Sequence, residues 1–92
     1  MDKVSIFKEI VANMSELYAR KNHDYDDSFS HTADEFGLIA PAIRLSDKLN
    51  RFKSLIKKDI QVADEKLEDT LIDMASYAIM TVIWLRENDH KE

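Results

Sequence analysis

The chain contains no cysteine, a single glycine, Gly37, and a single proline, Pro41, among its 92 residues. Without thiols there is neither a disulfide framework nor a thiolate metal site, which suits a reducing compartment. Almost no turn punctuation and no period-two alternation leave little room for strands, so an all-α chain is expected. Basic charge is also in deficit: 13 Lys and Arg against 18 Asp and Glu give a net charge of −5. Proteins that grip a phosphate backbone do so with a surplus of cations, so polymeric nucleic acid is excluded as the expected partner. Long apolar runs are missing too. The longest nearly uninterrupted one, Met74 to Leu85, is twelve residues, short of the ~20 that span a bilayer, and reads as a buried helix with no membrane role. The N-terminal segment alternates charged and apolar residues with no h-region, so a cytoplasmic protein is expected.

What is present is enough for one small domain over residues 1–92. Hydrophobic residues make up 45% of the chain, more than a fold of this size easily covers, since it hides only roughly 60–65% of its unfolded surface. Val4, Phe7, Val11, Met14 and Tyr18 predict an amphipathic helix from about Lys3 to Lys21, followed by a polar stretch from Asn22 to Ala33. Thr32 to Phe36 reads as a short separate turn of helix before a break at Gly37. Leu38, Ala42, Leu45, Leu49, Phe52 and Ile56 alternate in steps of four and three, predicting a bundle helix from Leu38 to Lys58 with Pro41 in its first turn. After a connection at Asp59 to Ala63, with Asp64 as the N-cap, a last helix runs to about Asn88. Its apolar residues form two stripes: Leu67, Leu71, Met74, Ala78, Val82 and Leu85, then Ile72, Ile79 and Ile83. Two stripes need two partners, so a homodimer or homotetramer is expected, with Ile72, Ile79, Ile83 or Trp84 buried between chains.

Charged residues sort onto two helix faces. Arg44, Asp47, Lys48 and Arg51 follow i, i+3, i+4, i+7 spacing, while Glu65, Asp69 and Asp73 stack on successive turns with Ser76 beyond them. If the faces meet, they form a pocket with hard oxygen ligands for Mg²⁺ and cations for phosphate oxygens. If they do not, the same groups are ordinary solvated helix charges. From composition and spacing the solvated reading is the more frequent one; Asp73 weighs against it, because Ile72, Met74 and Met80 around it are apolar. The loop holding Lys21, Asn22, Asp24 and Tyr25 offers further groups for a phosphate or a base; it lacks the glycine and terminal glutamate of an EF-hand, and His23 and His31 lack the spacing of a zinc pair. Tyr77 and Trp84, seven apart, either stack on a base or pack in the core.

Three strings, KNHDYDDSF (Lys21 to Phe29), RLSDKLNRFKSLI (Arg44 to Ile56) and DEKLEDTLIDMASYAIM (Asp64 to Met80), resemble in this order the nucleotide modification associated domain family of phages and bacteria. That family is similar to the all-α MazG and dimeric dUTPase nucleotide pyrophosphohydrolases. The resemblance implies a MazG-like bundle of three main helices per chain, completed by oligomerisation. It further implies a nucleotide substrate, modified or unmodified, cleaved between its α and β phosphates with Mg²⁺ as cofactor. Carried onto this sequence, it matches Asp69 and Asp73 to the acidic positions of the final helix and Asp47 with Lys48 to the pair on helix two. Together with the faces and loop read above, the expected metal ligands are Asp47, Glu65, Asp69 and Asp73, the catalytic pair Asp47 with Lys48, and the substrate-binding residues Lys21, Asn22, Asp24, Tyr25, Arg44, Lys48 and Arg51. One departure matters: MazG places several glutamates on the first metal-binding helix, where this chain has Asp47 as its only acid. The alternative is therefore a non-catalytic phage protein that sequesters a nucleotide or a signalling nucleotide.

Overall fold

The computed structural model describes residues 2–57 and 60–88, with side chains for 2–57 and 67–88. It contains four helices and, among the described residues, no strand: α1 Lys3–Asp24, α2 Ser28–Phe36, α3 Ile39–Leu55 and α4 Ile60–Glu87. The all-α expectation holds.

Local chemistry explains most of the boundaries. Asp2 caps α1: its Oδ1 accepts from the Val4 amide at 3.0 Å and its Oδ2 from the Ser5 hydroxyl at 2.7 Å. The helix runs three residues past the expected end because nothing in Asn22 to Asp24 breaks it. It stops where Asp26 and Asp27 take left-handed backbone (φ 52° and 55°). Such a conformation costs a non-glycine residue roughly 1–2 kcal/mol, and Asp is among the few that tolerate it. This tight reversal turns the supposed polar stretch into a full nine-residue helix, α2. Gly37 ends α2 at φ 78° and ψ −163°, a region essentially closed to L side chains, and Pro41 lies buried in the first turn of α3. At the other end, α4 starts at Ile60, four residues before the expected cap. Ile60 to Ala63 contain no breaker, so Asp64 is inside the helix and is not its N-cap.

The Asp2 cap gives a pH-dependent test. The Ser5 hydroxyl first, and then the Val4 amide, hold the Asp2 carboxyl below its ordinary value. A carboxyl depressed on folding contributes stability above its unfolded pKa and loses it as pH falls through the folded one. The Val4 amide resonance should therefore lose its cap-bonded shift only below the usual carboxylate range, in an NMR titration that Asp2→Asn abolishes.

Packing centres on α3 against α4, with α2 laid on α3 and α1 resting more lightly on α4. The face α4 turns inward carries Thr70, 2% exposed, and Trp84, 6% exposed, with Tyr77 midway between them. Ala33 of α2 and Pro41 and Leu55 of α3 are buried as well. The Trp84 Nε1–H donates to Asp34 Oδ1 at 2.8 Å, tying the C-terminal half of α4 to α2. Trp84 is covered within its own chain, at 6% exposed. Leu71 and Val82, of the first of the two apolar stripes, stay 45% exposed. No residue of α1 is buried, and Phe7 near its start is 69% exposed. Among the described residues, no helix is long and apolar enough to cross a membrane.

Candidate functional site

A cavity of about 330 Å³ opens between the C-terminal half of α1 and the middle of α4, closed at one side by α2 and α3. Helix α1 lines it with Met14, Leu17, Tyr18, Lys21 and Asn22, a run of positions three and four apart that keeps one face turned inward. The α1–α2 reversal adds Tyr25, and the first turn of α2 adds Ser28 and Phe29. Arg44 reaches in from α3, and α4 supplies Asp73, Ser76, Tyr77 and Met80.

The walls fall into two chemistries. One is aromatic: the Phe29 and Tyr77 rings stack with centroids 6.1 Å apart and planes 20° from parallel. The Arg44 guanidinium lies 6.0 Å from the Tyr77 centroid, within cation–π range, where it keeps its donors free for an anion. The other is polar and cationic: Lys21, Arg44, Asn22, Ser28 and Ser76. Burial, then the negative charges of Asp27 and Glu87, push the Tyr18 phenol above its ordinary pKa. At neutral pH it is therefore a neutral hydrogen-bond donor on the cavity wall.

Asp73 is the carboxylate on this lining, and it is already engaged. Lys48 Nζ, from α3, donates to Asp73 Oδ2 at 3.1 Å, with the two side chains 26% and 40% exposed. The two charged faces seen in the sequence do meet, through this pair. They meet incompletely. Asp47 and Arg51 are exposed and absent from the lining, as are Asp24 and Asp69. The side chain of Glu65 lies outside the described residues. Of the substrate-binding set, the fold brings Lys21, Asn22, Tyr25 and Arg44 to one cavity and leaves Lys48 behind Asp73 as its partner.

The donor set bears on Mg²⁺. Mg²⁺ keeps several of its waters and takes one or two protein carboxylates beside substrate phosphates; among the described residues no three acidic or imidazole groups converge. The one lining carboxylate has a lysine ammonium on it.

Sequence reasoning missed Met14, Tyr18, Phe29 and Met80. The signal was present on α1, where Met14, Tyr18, Lys21, Asn22 and Tyr25 share a face; read only as core, its polar end was separated from it as loop. Tyr77 and Trp84 divide the roles once offered to both: Tyr77 faces the cavity and Trp84 the core.

The sequence model of the family described as nucleotide modification associated domain 1 matches residues 21–85. That span is well over half of the chain and includes every cavity residue except Met14, Leu17 and Tyr18. The chain belongs to this family. No curated protein and no solved structure matches it.

Proposed function

We propose that this member of the family binds a nucleotide in the cavity, with phosphate oxygens on Lys21 and Arg44 and the base against the aromatic wall of Phe29 and Tyr77. The observation carrying this reading is the convergence of two cations and a stacked aromatic pair in one cavity, on a chain whose net charge is negative. On such a chain a local concentration of positive charge needs a reason, and an anion with a π-face supplies it. Asn22, Ser28, Ser76 and the Tyr18 phenol are left for sugar and base edges. A volume near 330 Å³ is at the lower end of small-molecule sites, the scale of a single nucleotide unit.

Binding without cleavage is the form of this function that the described residues support. A second reading, Mg²⁺-dependent cleavage between phosphates, draws on Asp69 and Asp73, one turn apart on α4, with Glu65 on the preceding turn of the same helix. It requires carboxylates beyond the described lining to take part. The two readings separate in one experiment: thermal shift against a nucleotide panel, in EDTA and in Mg²⁺, followed by chromatography of the incubated nucleotides. Sequestration gives a raised Tm in EDTA and nucleotide recovered intact. Cleavage gives pyrophosphate only when Mg²⁺ is present. If no nucleotide raises Tm at millimolar concentration in either buffer, the site is not a nucleotide site.

A further inference from the structure

Helix α4 has a second organised face, roughly 130° around its axis from the cavity-lining residues by the 3.6-residue period. Glu68, Ile72, Ala75, Ile79, Val82 and Arg86 recur along it in steps of four, three, four, three and four, the spacing of a helix-packing seam. The chain leaves it largely open: Ile79 is 48% exposed, Val82 45%, and Ala75, Glu68 and Arg86 are exposed as well. Leu71 and Ile83 widen it. Neither Glu68 nor Arg86 takes part in an ion pair among the described residues.

The seam is complementary to itself when reversed. In an antiparallel pair centred at the level of residue 77, Glu68 stands opposite Arg86, Ile72 opposite Val82 and Ala75 opposite Ile79. Acid meets base at both ends, and the largest exposed side chain of the middle enters the gap above the smallest. A parallel pair, by contrast, sets Glu68 against Glu68, Arg86 against Arg86 and the bulky Ile79 against itself, with like charges opposed. We infer that α4 packs antiparallel on α4 of a second copy of this chain across a two-fold axis, leaving the two cavities on the outer sides of the dimer. A two-fold axis makes every contact occur twice, so both charge pairs form together. The interface lies on the last helix, as the sequence suggested, but is built on Ile72, Ala75, Ile79 and Val82 and excludes Trp84.

The test is a charge-reversal cycle read by sedimentation velocity at low micromolar concentration and low salt. Wild type sediments as a dimer. Glu68→Arg alone and Arg86→Glu alone each place like charges at both ends and raise the dissociation constant by about tenfold or more; the double variant restores the pairs and returns it to within about threefold of wild type. Both positions are exposed, so circular dichroism should show no loss of helix in any of the three. Ile79→Asp gives an independent check, producing a helical monomer; if it unfolds, the charge cycle decides alone. A wild-type monomer across the concentration range overturns the proposal. So does a dimer that the single reversals leave unmoved, or one that the double variant fails to recover.

Discussion

Arg44→Ala weakens nucleotide binding by about 1.5–3 kcal/mol, the usual worth of a charge-assisted hydrogen bond, or roughly ten- to 150-fold in Kd. Arg44 stands on α3 with its guanidinium near the Tyr77 ring and its donors at the cavity. It is exposed, so its removal leaves no buried hole and the fold should stay intact by circular dichroism. Arg44→Lys keeps the charge but loses the planar fork and the stacking, and should recover only part of the affinity. Arg51→Ala serves as the control: Arg51 shares the helix face but lies outside the cavity lining, so its loss should leave Kd within about twofold, as for an exposed charge with no contact to ligand. Titration calorimetry with the nucleotide giving the largest thermal shift measures all three. Equal losses for Arg44→Ala and Arg51→Ala would mean that the ligand sits along α3 and outside the cavity.

The second large effect concerns the fold. Trp84→Ala removes the largest buried side chain and costs about 3–5 kcal/mol, the range for deleting a buried tryptophan. It also strands Asp34, whose carboxylate accepts from the indole N–H at 2.8 Å. Small domains hold only about 5–15 kcal/mol in total, and here Trp84 is by far the largest of the buried apolar residues among those described, the others being Ala33, Pro41 and Leu55. The variant should therefore lose most of its helical signal at 25 °C or unfold in far less urea. Trp84→Phe separates the two contributions, keeping most of the ring and discarding the hydrogen bond, at about 1–2 kcal/mol. A Trp84→Ala protein as stable as wild type would show that α4 does not depend on its anchor to α2.

Much of this arrangement was legible from period and punctuation. Val4 to Tyr18 announced α1, Leu38 to Ile56 announced α3, and Gly37 marked a true break. The errors have separate physical causes. Asn22 to Ala33 reads as loop because it is polar, but polarity alone does not end a helix, and the reversal needs only the two left-handed aspartates, Asp26 and Asp27. Asp64 looks like a cap by type, yet Ile60 to Ala63 propagate the helix through it. On α4 the apolar residues run nearly all the way round, so periodicity cannot say which face turns inward. The face that turns inward carries Thr70 and Trp84, the latter bonded to Asp34 fifty residues away. The site was half legible for a related reason. Charge spacing found Arg44, Lys48 and Asp73, but the way Lys48 and Asp73 satisfy each other is a tertiary fact. So is the stacking of Phe29 on Tyr77, which joins two segments that sequence proximity never suggests.

The link between α2 and α3 carries a consequence about handedness. A methyl group added at Gly37 in the L configuration would meet no atom within 4 Å, so bulk is not what reserves the position for glycine. Its backbone, at φ 78° and ψ −163°, is the mirror image of the extended conformation ordinary to L residues. Size and chirality, which usually act together at such turns, are here separated. L-Alanine at position 37 is opposed by torsion alone, whereas D-alanine placed there by chemical synthesis has its preferred torsions already and narrows the unfolded ensemble. The pose of α2, and with it Ser28 and Phe29 on the cavity wall, thus depends on one achiral residue acting as a right-for-left inversion in an otherwise L-configured chain.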